Sequence, residues 1–557
     1  MSRARLGALL AICALVGGVD ASFASTQEDP VDLALVFLVP EVSFEEMLGS
    51  PEIASLATAG GAALMVPQGG VATEGWRLAP TTSADIRFES LETDLESAAA
   101  TIRRTVAELG ERRVLVFVAS TTASPAMRDQ KDEVHPLVMA SGPASGLFPD
   151  PGDPRALTSD STRRSGVVSD LDVATTLAAG SGSDRGSVIR VIDEPAPFEL
   201  HERYLAQRRL SVPFGVAALA YLGAVGVAAV IFVARPLGTP DGWRRAAGWG
   251  CLSVATLATG MFAAGHLPEL SYATAVPMVA IVTVFGTMAF SPLLRPDATL
   301  VPAGIGAAVI AFFVVEALLG WRGMVTPLAG ASQLDGARFF GLPNLAVGLL
   351  VGAGLWVVPR LTTSMGFGVL CGIGLLAGLP VAGANLGGAV TAFAAAGMWL
   401  AVRERARLGA WRGLAVAAVS TIVGTGVVVA AHVVWPVPTH VTRIAETSGG
   451  LAGVIERYRD RLEIGVDLLS SHPAALVPVV GLPIALLVVR RPPAAIRSTF
   501  ERRPAWRDAV LVTLLAGVVA YLANDTGAAA AGWAFGLGVG GMLGVSLLSG
   551  PGKMGSP

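Results

Sequence analysis

Ser211-Val-Pro-Phe-Gly-Val-Ala-Ala-Leu-Ala-Tyr-Leu-Gly-Ala-Val-Gly-Val-Ala-Ala-Val-Ile-Phe-Val-Ala234 carries no charged side chain and follows directly on Arg208-Arg209. At about 1.5 Å of rise per residue, a helix of this length crosses the roughly 30 Å hydrocarbon layer of a bilayer. Apolar runs of the same kind recur to the end of the chain. With 52% hydrophobic and 15% charged residues among 557, the protein is too apolar for an ordinary soluble enzyme. Eleven spans are expected, at approximately 212–234, 246–264, 271–290, 298–319, 343–358, 361–381, 385–402, 411–434, 474–489, 508–523 and 529–549. Several are near the lower length limit. Their glycine content, as in Gly536-Leu-Gly-Val-Gly540 with Gly541 and Gly544, permits close helix contacts.

Charge divides the chain as clearly as hydropathy does. Residues 26–208 hold 15 basic and 28 acidic side chains, whereas residues 209–557 hold 23 basic and 14 acidic. An acidic soluble domain therefore precedes a basic membrane domain, and the acidic half argues against nucleic acid as a partner. The first 24 residues have the layout of a secretory signal peptide: Arg3 and Arg5, an apolar run from Leu6 to Val19, and Ser22-Phe23-Ala24 with small residues at the cleavage positions. The expected domains are thus 1–24, 25–208 and 209–550, with the second outside the cytoplasm. Cys13 lies in the signal and Cys251 and Cys371 lie in apolar runs, so there is no disulfide framework and no cysteine metal site.

The soluble segment is expected to be α/β. Leu33–Val39 and Val114–Ala119 are continuous apolar runs, short and rich in β-branched residues, the pattern of strands buried on both faces. Helical spacing follows over 43–60, with Ser43 and Glu46 placed for a capping box, and again over 91–110. Residues 136–140 and 188–192 are further strands, 170–180 a helix, and the Gly-, Pro- and Ser-rich stretch 141–166 a long surface loop. Helices alternating with buried strands imply a parallel sheet covered on both sides.

Four segments then carry a resemblance: Leu33-Ala-Leu-Val-Phe-Leu-Val39 with Pro40-Glu-Val-Ser43, Ser50-Pro-Glu-Ile-Ala-Ser-Leu-Ala-Thr-Ala-Gly60, Val134-His-Pro-Leu-Val-Met-Ala-Ser-Gly142, and Ser161-Thr-Arg-Arg-Ser-Gly-Val-Val-Ser-Asp-Leu-Asp-Val-Ala-Thr-Thr-Leu177. In their order they resemble the alkaline phosphatase and sulfatase superfamily, in the degenerate form fused to polytopic membrane proteins of actinobacterial type. The resemblance implies an alkaline-phosphatase-like ectodomain. Active members end the first strand on a metal-binding carboxylate, use a Ser or Thr nucleophile and place an Asp-His pair after a later strand. This chain has Pro40 at the first of those positions and Ala119-Ser120 at the last. A two-metal site needs several Asp and His ligands. Only His135 and His201 are available before the membrane domain, and His201 sits in the juxtamembrane His201-Glu-Arg-Tyr204. The expectation is a pseudoenzyme with no metal and no cofactor, in which Thr73, Thr81 and Thr82 are turn residues.

Loop charges orient the membrane domain. The loops around Arg235–Arg245, Arg295, Arg360, Arg403–Arg412 and Arg490–Arg507 alternate with the others and are all basic, which assigns them to the cytoplasm together with the C-terminus. The opposite loops hold the polar segments: Asp335-Gly-Ala-Arg-Phe-Phe-Gly-Leu-Pro-Asn344, Ala382-Gly-Ala-Asn-Leu-Gly-Gly388, Pro438-Thr-His-Val-Thr-Arg443 and Ala523-Asn-Asp-Thr-Gly527. These also resemble segments of the same membrane family. Arg338, Asn344, Asn385, His440, Arg443, Asn524 and Asp525 are the candidate substrate-binding residues. Arginine supplies a forked donor for phosphate or carboxylate, and Asp525 is the candidate base or ion-pair partner. Ordinary readings stand beside these: Gly336 and Gly341 as turn glycines, Asn385 as a helix cap, Asp525 as a solvated loop acid.

Two further features belong to that side. Residues 436–473 place Leu451, Ile455, Tyr458, Leu462 and Ile464 at helical spacing beside charged residues, as in an amphipathic helix at the outer interface. Glu316 lies inside an apolar run near its outer end, where a charge needs an outer-loop arginine or a hydrated cavity. Two function classes follow. One is a plasma-membrane protein that handles an anionic lipid or lipid-linked cell-envelope precursor at an outer-leaflet pocket, by transfer or translocation, with membrane lipids as partners. The other is a membrane-anchored scaffold whose ectodomain binds an envelope polymer or protein partner.

Overall fold

The computed structural model describes residues 31–39, 41–66, 85–91, 94–120, 134–159, 161–179, 188–234, 241–295, 297–330, 332–334, 340–435, 459, 476–524 and 527–549. The signal segment, Pro40, Thr73, Thr81, Thr82, Gly336 and nearly all of the 436–473 segment lie outside them. The described residues fall into two compact units. One holds the residues up to Leu210 together with Ser332, Gln333, Leu334 and Phe340; the other holds Ser211–Gly330 and the residues from Gly341 onward.

The first unit is built on eight strands: β1 Leu33–Leu38, β2 Gly61–Val66, β3 Asp85–Ser90, β4 Arg113–Ala119, β5 His135–Pro143, β6 Arg155–Ser159, β7 Val167–Ser169 and β8 Ile189–Pro195. They lie in the order β3-β1-β4-β5-β2-β6-β8, with β7 beside β2. The continuous apolar strands occupy the centre, where Val36, Met65, Phe117 and Leu137 are almost fully buried. Four helices connect them: α1 Phe44–Gly49, α2 Pro51–Ala59, α3 Leu95–Ala107 and α4 Asp170–Ala179. The Ser43 and Glu46 box forms as expected: Glu46 N–H donates to Ser43 Oγ at 3.2 Å and Ser43 N–H to Glu46 Oε2 at 2.9 Å. The single helix expected over 43–60 is two, because Ser50 before Pro51 is held extended.

The sheet is mixed rather than parallel. β1 pairs parallel with β3 and β4, but β5 runs antiparallel to both β4 and β2, and β8 antiparallel to β6. A strand covered on both faces has the same continuous apolar pattern whichever way its neighbours run, so direction was not in the pattern. The expected long loop over 141–166 is also corrected, since β5 extends to Pro143 and β6 forms within it.

Sixteen α-helices are described, four in the sheet domain and twelve after it, rather than the eleven expected of the membrane part. The twelve are α5 Phe198–Ala234, α6 Asp241–Ala263, α7 Tyr272–Met288, α8 Leu300–Leu318, α9 Asn344–Val357, α10 Thr363–Gly378, α11 Leu386–Arg403, α12 Arg405–Val434, α13 Leu476–Arg490, α14 Ala494–Arg502, α15 Pro504–Ala523 and α16 Gly527–Ser549. Eight of them, α5–α8, α11, α12, α15 and α16, are long and apolar enough to cross a membrane; α9, α10 and α13 are apolar but shorter. α14 differs in kind, an arginine-bearing surface helix in a stretch where sequence periodicity marked only a basic loop.

Burial separates centre from periphery. The apolar windows of α6 and α16 are 72% buried, whereas that of α12 is 6% buried and those of α5 and α7 are 17% buried. Val227, Phe285, Ile422 and Val433 are accordingly more than half exposed. Helices with apolar side chains on every face and no covering layer are compatible with a multi-pass protein whose periphery meets lipid. In the centre, small residues let backbones touch: a Cβ at Gly348 on α9 would stand 1.9 Å from the Ala530 carbonyl oxygen on α16. Trp356 closes the same contact from below by donating its Nε1–H to the Leu537 carbonyl at 3.1 Å.

Candidate functional site

Ion pairs gather the basic loops at one end of the helical unit. Asp297, between α7 and α8, is held by Arg360 and Arg503, each at 2.6 Å, so three separate loops meet there. Asp508, early in α15, takes Arg403 at 3.2 Å and Arg405 at 2.8 Å, which adds the α11–α12 junction. Burial pushes the Asp297 carboxyl up, but the Thr299 N–H and hydroxyl and the Arg360 guanidinium outweigh it and hold the group below its ordinary value.

The polar turns meet at the other end. Trp321, fully buried after α8, donates its Nε1–H to the Ala382 carbonyl at 2.6 Å. Leu342 N–H donates to the Gly383 carbonyl at 2.8 Å. Gly341 has φ +96°, and a Cβ there would stand 2.0 Å from the Gly383 oxygen, so the turn before α9 accepts only glycine. Trp321 (φ 61°) and Ala384 (φ 47°) are themselves left-handed without being glycine. Such residues cost on the order of 1–3 kcal/mol and persist where their surroundings hold them.

Asn385 is the centre of this end. Its Oδ1 accepts from Gly388 N–H at 2.8 Å, which caps α11, so the ordinary reading of the residue is correct as far as it goes. Its Nδ2 does more, donating to the Leu342 carbonyl at 2.9 Å and to Asn344 Oδ1 at 3.0 Å. Two turns far apart in sequence are joined through one fully buried carboxamide. Asn524, at the end of α15, stands on the other flank of the same cap: a Cβ at Gly387 would lie 2.5 Å from its Oδ1. Asn524 Nδ2 donates to the Ala520 carbonyl at 2.9 Å, while its buried Oδ1 accepts from no group among the described residues. A buried amide oxygen without a donor is costly and is a place for a ligand's N–H or O–H.

The structure therefore brings Asn344, Asn385 and Asn524 to one end of the helical unit, on turns that begin α9 and α11 and end α15. Arg338, His440, Arg443 and Asp525 lie outside the described residues. Among the described residues no outer-loop arginine pairs with Glu316: its carboxylate is met by His266, and its second oxygen accepts from Gly323 N–H at 3.2 Å. His266 and Trp321 went unnoticed in the sequence. The available signal was that each is a polar-capable ring at the end of an apolar run on the side where Glu316 sits.

In the sheet domain, Val39 and Ala119-Ser120 stand at the C-terminal ends of two parallel neighbours. Leu38 of β1 is in register with Ala119 of β4. Ser120 is fully buried, and its Oγ accepts from Val42 N–H at 3.4 Å, tying the chain after β1 to the chain after β4. His201 is buried with its ring edge-on to Phe44, 5.7 Å between centroids. In the Ser161–Leu177 segment the buried Asp172 accepts from Ser159 Oγ at 2.7 Å, Ser161 Oγ at 2.6 Å and Ser169 N–H at 2.8 Å. That carboxylate organises β6, β7 and α4.

No family model, no curated protein and no solved structure matches this chain.

Proposed function

We propose that this is a multi-pass membrane protein that handles an anionic lipid or lipid-linked envelope precursor at the end of its helical unit opposite the paired arginine loops, by transfer or by translocation. The observation that carries the reading is the asparagine cluster: a cap residue spending its second function on a neighbouring turn, beside a buried Asn524 oxygen with no donor among the described residues. Carboxamides present both donors and acceptors without a fixed charge, which suits the hydroxyls and esters of a lipid headgroup near a bilayer surface. The helix starts at Asn344 and Leu386 add partial positive charge at the same end. In sequence, Arg338, Arg443 and Asp525 flank these turns and supply the anion-binding and basic groups of the proposal. Assignment of that end to the outer leaflet, of the first 24 residues to a signal peptide, and of the sheet domain to a phosphatase-like pseudoenzyme belong to the same reading. They rest on the basic loops, on the composition of residues 1–24 and, in sequence, on Pro40 and Ala119-Ser120.

Native mass spectrometry of the purified full chain with added anionic phospholipid tests it. Arg338→Lys and Asn524→Ala are expected to weaken retention of the lipid several-fold relative to a zwitterionic control lipid, with α-helical content unchanged. Equal retention by both variants would remove the lipid-handling reading.

The scaffold reading has one observation of its own. Gln333 and Phe340, from the loop between α8 and α9, belong to the sheet unit: Arg164 donates to Gln333 Oε1, and the Arg163 guanidinium lies 4.4 Å from the Phe340 ring centroid. A sheet domain that holds this loop is placed to report on a partner bound to it.

A further inference from the structure

Glu316 is the only ionisable residue on α8, and its side chain is 1% exposed. A carboxylate two residues from the end of an apolar helix is expensive wherever it is not put to use, because a glutamine would accept the same backbone hydrogen bond without a charge. Among the described residues its carboxylate reaches the surface through His266. Oε2 is occupied by Gly323 N–H. Oε1 meets His266 Nε2, and the His266 side chain is 35% exposed. The fit around the pair is close: a Cβ at Gly323 would stand 2.5 Å from His266 Nε2 and 3.0 Å from Glu316 Oε1. The ring therefore stands between the buried acid and the end of the helical unit.

We infer that His266 and Glu316 form a proton-binding site that opens to the polar end of the helical unit and is linked to the turn carrying Trp321. With Nε2–H donated to Glu316 Oε1, the ring's Nδ1 takes the incoming proton. A bond to hydrogen forms at Nδ1 as one breaks in hydronium or a buffer acid, and the carboxylate supplies the counter-charge for the imidazolium. Release runs the same steps backward, so nothing is oxidised or reduced.

The other ionisable groups on the packed elements do not compete. Glu269 and Tyr272 follow His266, and Arg322 precedes Gly323. α6 adds Cys251 and, in its first turn, Asp241, Arg244 and Arg245, and α9 adds none. Among the described residues no ion pair joins any of them to His266 or Glu316.

The linkage is through backbone. Trp321 N–H donates to the Glu316 carbonyl at 2.7 Å, and the indole of the same residue donates to Ala382, three residues before Asn385. Gly323, bonded to the carboxylate, is in the same short turn. An imidazolium that draws the Glu316 carboxylate toward itself weakens the hold of that carboxylate on Gly323 N–H, and so acts on the turn that positions Trp321.

Infrared difference spectra of the full chain in lipid nanodiscs, taken between about pH 5 and about pH 8, test the site. No lipid substrate is present, so the result is independent of the proposed lipid handling. The wild type is expected to show paired carboxyl and imidazole changes, both removed in Glu316→Gln and in His266→Gln. The Gln at 316 keeps an acceptor for Gly323, and helical circular dichroism checks the fold of each variant. Alongside, the rate at which an Arg322→Cys reporter reacts with a soluble thiol reagent, divided by that of an exposed Ala494→Cys control so that thiolate formation cancels, should change several-fold over the same range, and the ratio should become pH-independent when Arg322→Cys is combined with Glu316→Gln. A wild-type difference spectrum unaltered by both substitutions overturns the proton site. A ratio that still follows pH in the double variant overturns the linkage to the turn.

Discussion

The Asn385 side-chain amide donates to Asn344 Oδ1 at 3.0 Å, so the first residue of α9 and the residue that caps α11 share one hydrogen bond. The same amide satisfies the Leu342 carbonyl, and the oxygen of the same side chain satisfies Gly388 N–H. One buried side chain thus fixes the spacing of two turns and the start of a span.

Removing it has a predictable cost. Asn385→Ala loses a cap, about 1 kcal/mol, and leaves the Leu342 carbonyl unpaired, about 1–3 kcal/mol, so a loss of roughly 2–4 kcal/mol is expected. Asn385→Asp keeps the cap acceptor but sets a carboxylate against the Leu342 and Asn344 oxygens, which raises its folded pKa above the unfolded value. Its extra penalty therefore grows as pH rises above about 4 and fades below it. Thermal unfolding of the detergent-solubilised chain at the two pH values measures both. An Asp variant equally stable at each would refute the geometry.

Helix contact through glycine gives a second prediction. Gly348→Ala drives a methyl into the Ala530 carbonyl and should cut the folded yield severely. Gly368→Ala meets nothing within 4 Å on exposed α10 and should be neutral or stabilising by up to about 1 kcal/mol. Size-exclusion profiles of the two proteins decide it.

Sidedness has its own test. Ser332 is buried, so a cysteine there is a poor probe, whereas Glu269 at the polar end and Ala494 at the arginine end are exposed. In a background lacking Cys13, Cys251 and Cys371, Glu269→Cys should react with an impermeant thiol reagent in intact cells. Ala494→Cys should react only after lysis. The reverse pattern would place the asparagine cluster in the cytoplasm.

Asp297 supplies a pH prediction. Its carboxyl is held below the ordinary 3.8, so the stabilisation it contributes is present above that pH and is lost as pH falls through the lower folded value. Asp297→Asn should lower the melting temperature of the solubilised chain at neutral pH by a few degrees, and the difference from wild type should vanish in acid once the pH is below the folded value. A difference that persists there would mean that Arg360 and Arg503 are not what the carboxylate serves.

What the sequence determined by itself is what local patterning encodes. Apolar run length marked the membrane part, the Ser43 and Glu46 spacing marked a capping box, and arginine placement marked one set of loops as alike. Each is a property of residues within a few positions of one another. Strand direction was absent from the pattern, because a buried strand is apolar on both faces in either sense. Of the candidate site, Asn385 could be read as a cap, yet nothing near it announced that its amide reaches Leu342 and Asn344. Nor did the sequence pair Glu316 with His266, fifty residues earlier, or set Asn524 Oδ1 beside Gly387 with no donor among the described residues. Those relations depend on which span ends stand side by side. Packing of α6, α9, α11, α15 and α16 through their small residues settles that, and only the tertiary structure expresses it.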